Sequence, residues 1–378
     1  MRILYTLDSG TPGGMEQHVL DLVNQMRLRG HEVFVWCRGG IIYDWYIKAG
    51  AKVVQKSIRW DFDPLYILEL KRFLQAKDID LVHAHELRAA ANSLLAAAAA
   101  RKKVRITHIH TPYANWQISK QKKLIYNVCY SLAVRLLATR EIALTEVIKK
   151  IKTASGLPKR KLVVIPNGID IYKFYVAENE RANYRREICK KYRLYPSAKI
   201  IGNLSRTTKE KGHDLLIRAF ARLVNEQALN REEYLLLICG GGELEESLWQ
   251  LAGELGIKDR IIITGQFDDD LKLKFYSTFD YFVFPTLAEG FGLVLIEALI
   301  SKLPVLCSDL PVLQEVGKEF PLYFKTGDYL DLAEKLLKLV QQPKDHEAQK
   351  VYVERNYSLE QFGANYQRLY ESLISRPI

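Results

Sequence analysis

Two glutamates eight positions apart, Glu289 and Glu297, bracket a Gly-Phe-Gly in the stretch FPTLAEGFGLVLIEAL. Carboxylates accept hydroxyl hydrogen bonds two at a time, as recognition of a sugar or a ribose requires. Gly290 and Gly292 let backbone N–H groups face a ligand. Glu297 stands among Leu295, Ile296, Ala298 and Leu299 in the first turns of an apolar helix. Burying a lone carboxylate there is costly, so it must reach a polar ligand or a cation. Glu289 alone reads equally as an exposed loop acid. A second set is Arg206 and Lys211 in NLSRTTKEKGHDLLIRAF, the planar fork and mobile point charge that suit a diphosphate. Lys209 and Glu210 lie between them, so a solvated charged loop accounts for the same residues. His110 closes ITHIH with His108 on the same face, either a structural strand-end histidine or a catalyst. Gly10, Gly13 and Gly14 follow the first strand pattern, where they make a tight turn or admit a phosphate to a helix N-terminus. Their spacing is not that of the dinucleotide fingerprint.

Each of these groups follows a strand pattern and precedes a helical one. In the first half the strand patterns are 2–7, 32–37, 81–85, 105–110, 141–144 and 161–166, with helical stretches at Met15–Arg29, Leu65–Ala76 and Trp116–Leu137 between them. The alternation restarts with strand patterns at 199–205, 234–242, 260–265, 281–286 and 304–309, and helices near 212–226, 243–256, 269–278 and 292–302. Such βαβα order predicts two doubly wound α/β domains with parallel sheets. The expected division is 1–170, 171–358 and a last helix, 359–378, whose Phe362, Tyr366 and Tyr370 share a face and must pack, on the first domain in this reading. In open α/β sheets ligands bind beyond the carboxyl ends of the strands, so a cleft between two such sheets is the expected site.

The charge is uneven. Of the net +11, residues 1–170 carry 27 Lys and Arg against 14 Asp and Glu, while the remainder carries 28 against 30. The basic half predicts an anionic neighbour: an acidic substrate, a membrane or nucleic acid. Five cysteines without CxxC spacing argue against a disulfide framework or structural zinc. MRILYTLDSG enters a strand pattern directly, with no signal peptide expected, and no apolar run approaches the ~20 residues of a membrane span. The expected location is cytoplasmic, or peripheral at the inner face of the plasma membrane.

EGFGLVLIEAL followed by KLPVLCSD resembles the E-x7-E region of retaining GT-B glycosyltransferases of family GT4. GGMEQHV, HIHTPY, IPNGID, SRTTKEKGHDLLIRAF, GGGELEESL and DRIIITG match the family in order, over nearly the whole chain. The resemblance implies two Rossmann-like domains facing across a cleft, the first for the acceptor and the second for a nucleoside-diphosphate sugar. It implies that Glu289 and the backbone of Gly290, Phe291, Gly292 and Leu293 hold the donor sugar, and that Glu297 holds the ribose. By the same resemblance Arg206 and Lys211 bind the diphosphate, Gly13 and Gly14 contact phosphate, and His110 lies beside the anomeric centre. Base recognition falls near Gln266 and Phe267. Thr286 and Asn203 depart from the family's usual Ser and Arg.

The activity implied is retaining transfer of a hexosyl group, from UDP-sugar in preference, to a lipid-linked or polysaccharide acceptor of the cell envelope. No cofactor and no metal are implied; Asp268–Asp270 reads as a helix N-cap cluster rather than a metal pair. The segments 101–105 (RKKVR) and 119–123 (SKQKK), next to Trp116, suit an anionic bilayer or are simply solvated. A GT-B nucleotide-sugar 2-epimerase shares the architecture but lacks the EGFGLVLIEAL element, and a pyridoxal-phosphate phosphorylase needs a cofactor lysine not placed here. A nucleic-acid binder, which charge alone permits, lacks the interleaved aromatics; no nucleic-acid partner is expected.

Overall fold

A computed structural model of the protein describes residues 1–110, 119–341 and 346–375. The chain divides into two compact units, one of Met1–Gly168 with Leu359–Ile378 and one of Ile169–Ser358. The first is built on seven strands: β1 (Arg2–Thr6), β2 (Glu32–Cys37), β3 (Lys52–Gln55), β4 (Leu81–His85), β5 (Val104–His108), β6 (Arg140–Ala143) and β7 (Leu162–Val164). They form one parallel sheet in the order β3-β2-β1-β4-β5-β6-β7. The second unit holds β8 (Lys199–Leu204), β9 (Tyr234–Cys239), β10 (Ile261–Ile263), β11 (Tyr281–Phe284), β12 (Val305–Ser308) and β13 (Leu322–Phe324). Their order is β10-β9-β8-β11-β12-β13, again all parallel.

Central strands such as LVHAH and YLLLIC are buried along their length, because helices cover both faces of a parallel sheet. The two strands that the sequence pattern does not announce, β3 and β13, are short sheet edges that stay partly exposed. β5 stops at His108, so His110 sits two residues beyond the strand rather than at its last position.

Helix Leu359–Ile374 packs within the first unit. Phe362, Tyr366, Tyr370 and Leu373 join a core with Ile3, Tyr5, Val19 and Leu22. The Tyr370 hydroxyl lies 3.3 Å from that of Tyr5 and 2.8 Å from His83 Nδ1. A helix from the far end of the chain thus walls in the middle of the first sheet.

The acids Asp268–Asp270 correct the sequence reading. They do open a helix, Asp270–Thr278, but the N-cap residue Asp269 is helical in backbone and makes no side-chain capping hydrogen bond.

Candidate active site

In each sheet the chain runs outward from one strand and later returns to its other side, between β1 and β4 in the first unit and between β8 and β11 in the second. That reversal is where the loops at the carboxyl ends of two strands diverge and leave room for a ligand.

In the second unit the loops after β8 and β11 are laced together. Leu287 N and Thr286 Oγ1 donate to the Glu210 carbonyl at 2.7 and 3.1 Å. Thr286, one of the departures from the family pattern, therefore ties the loops. Gly212 takes φ 64°, and a Cβ there would lie 2.2 Å from the Pro285 carbonyl oxygen, so only glycine permits this approach. Asn203, the other departure, donates to the Val283 carbonyl at 2.7 Å, and its Oδ1 is 3.0 Å from both Ser205 Oγ and His213 Nε2. His213 is buried and its pKa pushed down to about 4 by burial, so it is a neutral strut for the loop.

This lacing brings Lys211 and Glu289 into contact: the ammonium donates to Glu289 Oε1, with both side chains mostly buried. Lys211 Nζ also lies 5.7 Å from the Phe284 ring centroid. Arg206 stands apart, 3.8 Å from Glu210 and largely exposed, a cation free to swing toward a ligand. Phe291 is 3 % exposed and packs edge-on against Tyr357 at 5.7 Å, so its backbone, not its ring, is what it offers a ligand. Gly292, at φ 92°, precedes helix Leu293–Ile300, whose first N–H groups have no acceptor within the helix.

Glu297 is 5 % exposed. It meets the cation that its burial demanded: Lys272 Nζ donates to Oε1, and the Tyr276 hydroxyl donates to Oε2 at 2.9 Å. Both partners come from helix Asp270–Thr278, twenty-odd residues earlier, and nothing in their spacing announces the pairing. On β9's side, Gly240, Gly241 and Gly242 allow the following loop to crowd the backbone of 205–207 and Gln266; a Cβ on Gly240 would meet the Ser205 carbonyl oxygen at 2.1 Å. Phe267 packs on Phe275 at 4.9 Å.

In the first unit Gly13 is the extended N-cap of helix Gly14–Leu28, and space beside Gly14 is open. A Cβ on Gly13 would meet the carboxylate of Glu16 at 2.6 Å. Buried Glu16 thus puts an acid at the helix N-terminus, where the dipole favours negative charge. Opposite, Glu86 is held at φ 62° and accepts from Asp8 N at 2.8 Å. Burial pushes its carboxyl up to about 7. A non-glycine residue in that region costs of order 1–3 kcal/mol, the sort of strain that collects at functional sites. The sequence gives no sign of it.

His110 lies in a nest of histidines. His83 and His85 point to one face of β4, His108 and His110 to the same face of β5 and its extension, and His85 is paired in register with His108. His18 joins them from helix Gly14–Leu28. Rings of His108 and His110 stack with centroids 3.8 Å apart; His18 meets both edge-on at 4.8 and 4.7 Å. Burial, followed by the neighbouring histidines, holds His85 and His108 well below the usual imidazole range, and burial and then His18 do so for His110. His18 is lowered to about 4, also by burial. All are neutral near pH 7. Behind them Lys152, itself buried, donates to Glu141 Oε1 at 2.5 Å and to the carbonyls of Ile109 and Ile142 at 3.1 and 2.6 Å, which fixes the segment leading to His110. Two H-x-H patterns at successive strand ends were the available signal for this cluster.

Of the basic segments, 101–105 is only partly a surface. Val104 is buried, and Arg105 turns inward to the Leu137 carbonyl and, at 2.7 Å, to that of Lys102. Trp116 lies outside the described residues, as do residues 111–118 generally. No helix among the described residues is long and apolar enough to cross a membrane.

Residues 12–173 match the family model Glycosyltransferase Family 4, and residues 184–357 match Glycosyl transferases group 1. The chain is 27 % identical over 321 residues to the phosphatidyl-myo-inositol mannosyltransferase of Mycolicibacterium smegmatis, covering 82 % of this chain and 76 % of that one. It is 32 % identical over 163 residues to an uncharacterized glycosyltransferase of Methanocaldococcus jannaschii, an alignment spanning 43 % of this chain and 40 % of that protein. Anabaena HepE, whose crystal structure contains UDP and glucose, superposes with a TM-score of 0.83 at 18 % identity, over 98 % of this chain and all of that one. The architecture is that of the GT-B glycosyltransferases. The chain belongs to their group 1, family 4 branch and is a glycosyltransferase.

Proposed function

We propose that this glycosyltransferase moves a hexosyl group from a nucleoside-diphosphate sugar, UDP-sugar in preference, to a lipid-linked or polysaccharide acceptor, with retention at the anomeric carbon and without a metal. The Lys211–Glu289 contact at the β8/β11 reversal carries the reading. A diphosphate sugar satisfies both partners at once: Lys211 and the exposed Arg206 take the phosphate charge, and Glu289 accepts hydroxyls of the sugar, aided by the backbone of Gly290 to Leu293. Glu297, already oriented by Tyr276 and Lys272, accepts the ribose hydroxyls. Gly13 and Gly14 approach phosphate, and neutral His110 acts beside the anomeric centre.

No protein nucleophile takes part. The acceptor hydroxyl attacks the anomeric carbon on the face that the diphosphate leaves; the C–O bond to the phosphate breaks as the new one forms. A β-phosphate oxygen takes the hydroxyl proton. Catalysis is then positioning together with stabilisation of the departing charge. UDP in the HepE structure and the phosphatidyl-inositol acceptor named for the mycobacterial relative support the donor and acceptor classes.

Helix Lys120–Leu137 supports a membrane-borne acceptor. Leu124, Val128, Leu132 and Leu136, four residues apart, are each more than half exposed and form one apolar stripe. Lysines 120, 122 and 123 stand at its N-terminal end. An apolar stripe with cations at one end suits the interface of an anionic bilayer. Co-sedimentation with anionic and neutral liposomes tests this; equal binding to both, or to neither, rejects it.

The donor test is thermal shift with UDP, GDP and ADP and their common sugars, on the wild type and Glu297→Ala. A nucleotide at 100 times its dissociation constant adds about 2.7 kcal/mol of stability. One nucleotide should raise the melting temperature of the wild type and lose that effect in the variant. A uniform lack of response from all three rejects this donor site.

A further inference from the structure

The histidine nest of the first unit, which shares His110 with the proposed transfer reaction, has a geometry of its own. One ring nitrogen from each of His18, His85, His108 and His110 lies within 4.8 Å of all the others. His18, His85 and His108 are buried and His110 partly so. Hydrogen bonding accounts for only part of the arrangement: His85 Nδ1 and His110 Nε2 share one hydrogen bond, and His18 is held by Asn167 and Tyr366. Among the described residues, both nitrogens of His108 and Nε2 of His85 are buried without a hydrogen-bond partner. Groups of this kind are rare in folded proteins, and each costs free energy when nothing binds it.

We propose that His18, His85, His108 and His110 form a binding site for one divalent first-row transition metal ion of the zinc type. Four imidazoles without a carboxylate or thiolate favour such ions over calcium or magnesium. Ligand nitrogens at about 2.0–2.1 Å from a tetrahedral zinc are themselves about 3.4 Å apart. His85 Nδ1 and His110 Nε2 are 3.2 Å apart, already at that spacing. His18 carries the supporting contact that metal-bound histidines have: Nδ1 lies 2.8 Å from Asn167 Oδ1. That acceptor places the proton on Nδ1 and turns the Nε2 lone pair inward, with the Tyr366 hydroxyl a long 3.4 Å away. Neutral imidazoles need lose no proton to coordinate. An ion held here and the proposed transfer reaction would both draw on His110.

The inference does not depend on the donor assignment, and its test does not use transferase activity. The chelator-treated full-length protein is titrated with cobalt(II) and then zinc(II), following visible absorption and stoichiometry. One equivalent with the intense absorption of four-coordinate cobalt, displaced by zinc, is the expected result. His108→Phe keeps the packing, removes both unpartnered nitrogens and should weaken binding by at least about 100-fold, the upper end of what loss of a mere supporting residue does. His346→Asn, in the other unit, should leave binding unchanged. No uptake by the wild type at micromolar metal, a pale six-coordinate spectrum, or undiminished binding in His108→Phe overturns the site. If His108→Phe does not fold, the wild-type spectrum and stoichiometry still decide.

Discussion

The two units solve one architectural problem with opposite electrostatics. Both are parallel sheets with a reversal of strand order in the middle, and both gather polar side chains at it. In the first unit those side chains include buried imidazoles kept uncharged, with the buried Lys152–Glu141 ion pair set behind them and buried Asp8 paired with Arg38 and Arg88 just beyond the end of β1. In the second they are ionic contacts, Lys211–Glu289 and Lys272–Glu297, between loops or neighbouring helices. A neutral cluster offers lone pairs and no field. An ion pair offers charges that an anionic, hydroxylated ligand can exchange for its own groups. The same fold therefore presents a coordinating surface in one unit and a charge-accepting one in the other.

Acid should separate the units most strongly. His18, His83, His85, His108 and His110 in the first unit and His213 in the second all have folded-state pKa values below 6.5, chiefly through burial. For these histidines the unfolded chain binds more protons than the folded one, so their contribution is full above pH 6.5 and falls as pH drops toward 4; Glu86, raised to about 7 by burial, acts in the opposite sense and offsets part of the loss. His18 alone contributes about 3 kcal/mol to that loss by pH 4. Hydrogen exchange between pH 7 and pH 5 should show the first unit opening well before the second; equal loss in both removes the contrast.

Next in size is Lys152→Met. It strands Glu141 in the core and should cost about 3–5 kcal/mol in chemical denaturation. Lys211→Ala, by contrast, leaves a carboxylate that is partly exposed rather than sealed in the core like Glu141. Its effect should appear in kcat, down about 100- to 1000-fold if Lys211 stabilises the leaving diphosphate. A change confined to melting temperature would make Lys211 only a loop tie.

The smallest effects compare the glycine loops. Gly212→Ala forces a side chain into φ 64° and against the Pro285 carbonyl, and should destabilise by about 1–3 kcal/mol. Gly14→Ala enters open space at a helix start and should be neutral or stabilising by about 0.5 kcal/mol, with KM for the donor rising if phosphate approaches there. Equal destabilisation by both would show that the first loop is also tightly packed.

Strand and helix order was legible because apolar runs bounded by glycine and proline need no partner to be recognised. The edge strands β3 and β13 escaped because half-exposed edges carry a weak pattern. At the site, Glu297's need for a partner could be read from its apolar neighbours, but Lys272 and Tyr276 as that partner could not. The strain at Glu86 had no local sign either, since a backbone angle is imposed by what the chain packs against.

By itself the sequence determined the alternation of two parallel α/β units, the glycines that permit close loop approach, and the residue types able to bind a diphosphate sugar. These follow from periodicity and side-chain chemistry, which act over a few residues. Only the tertiary structure decided which cation meets which carboxylate, that the last helix walls the first sheet, and that histidines from positions 18 to 110 converge on one point. Such pairings depend on strand order, and parallel neighbours are joined by long crossovers that leave no trace in local spacing.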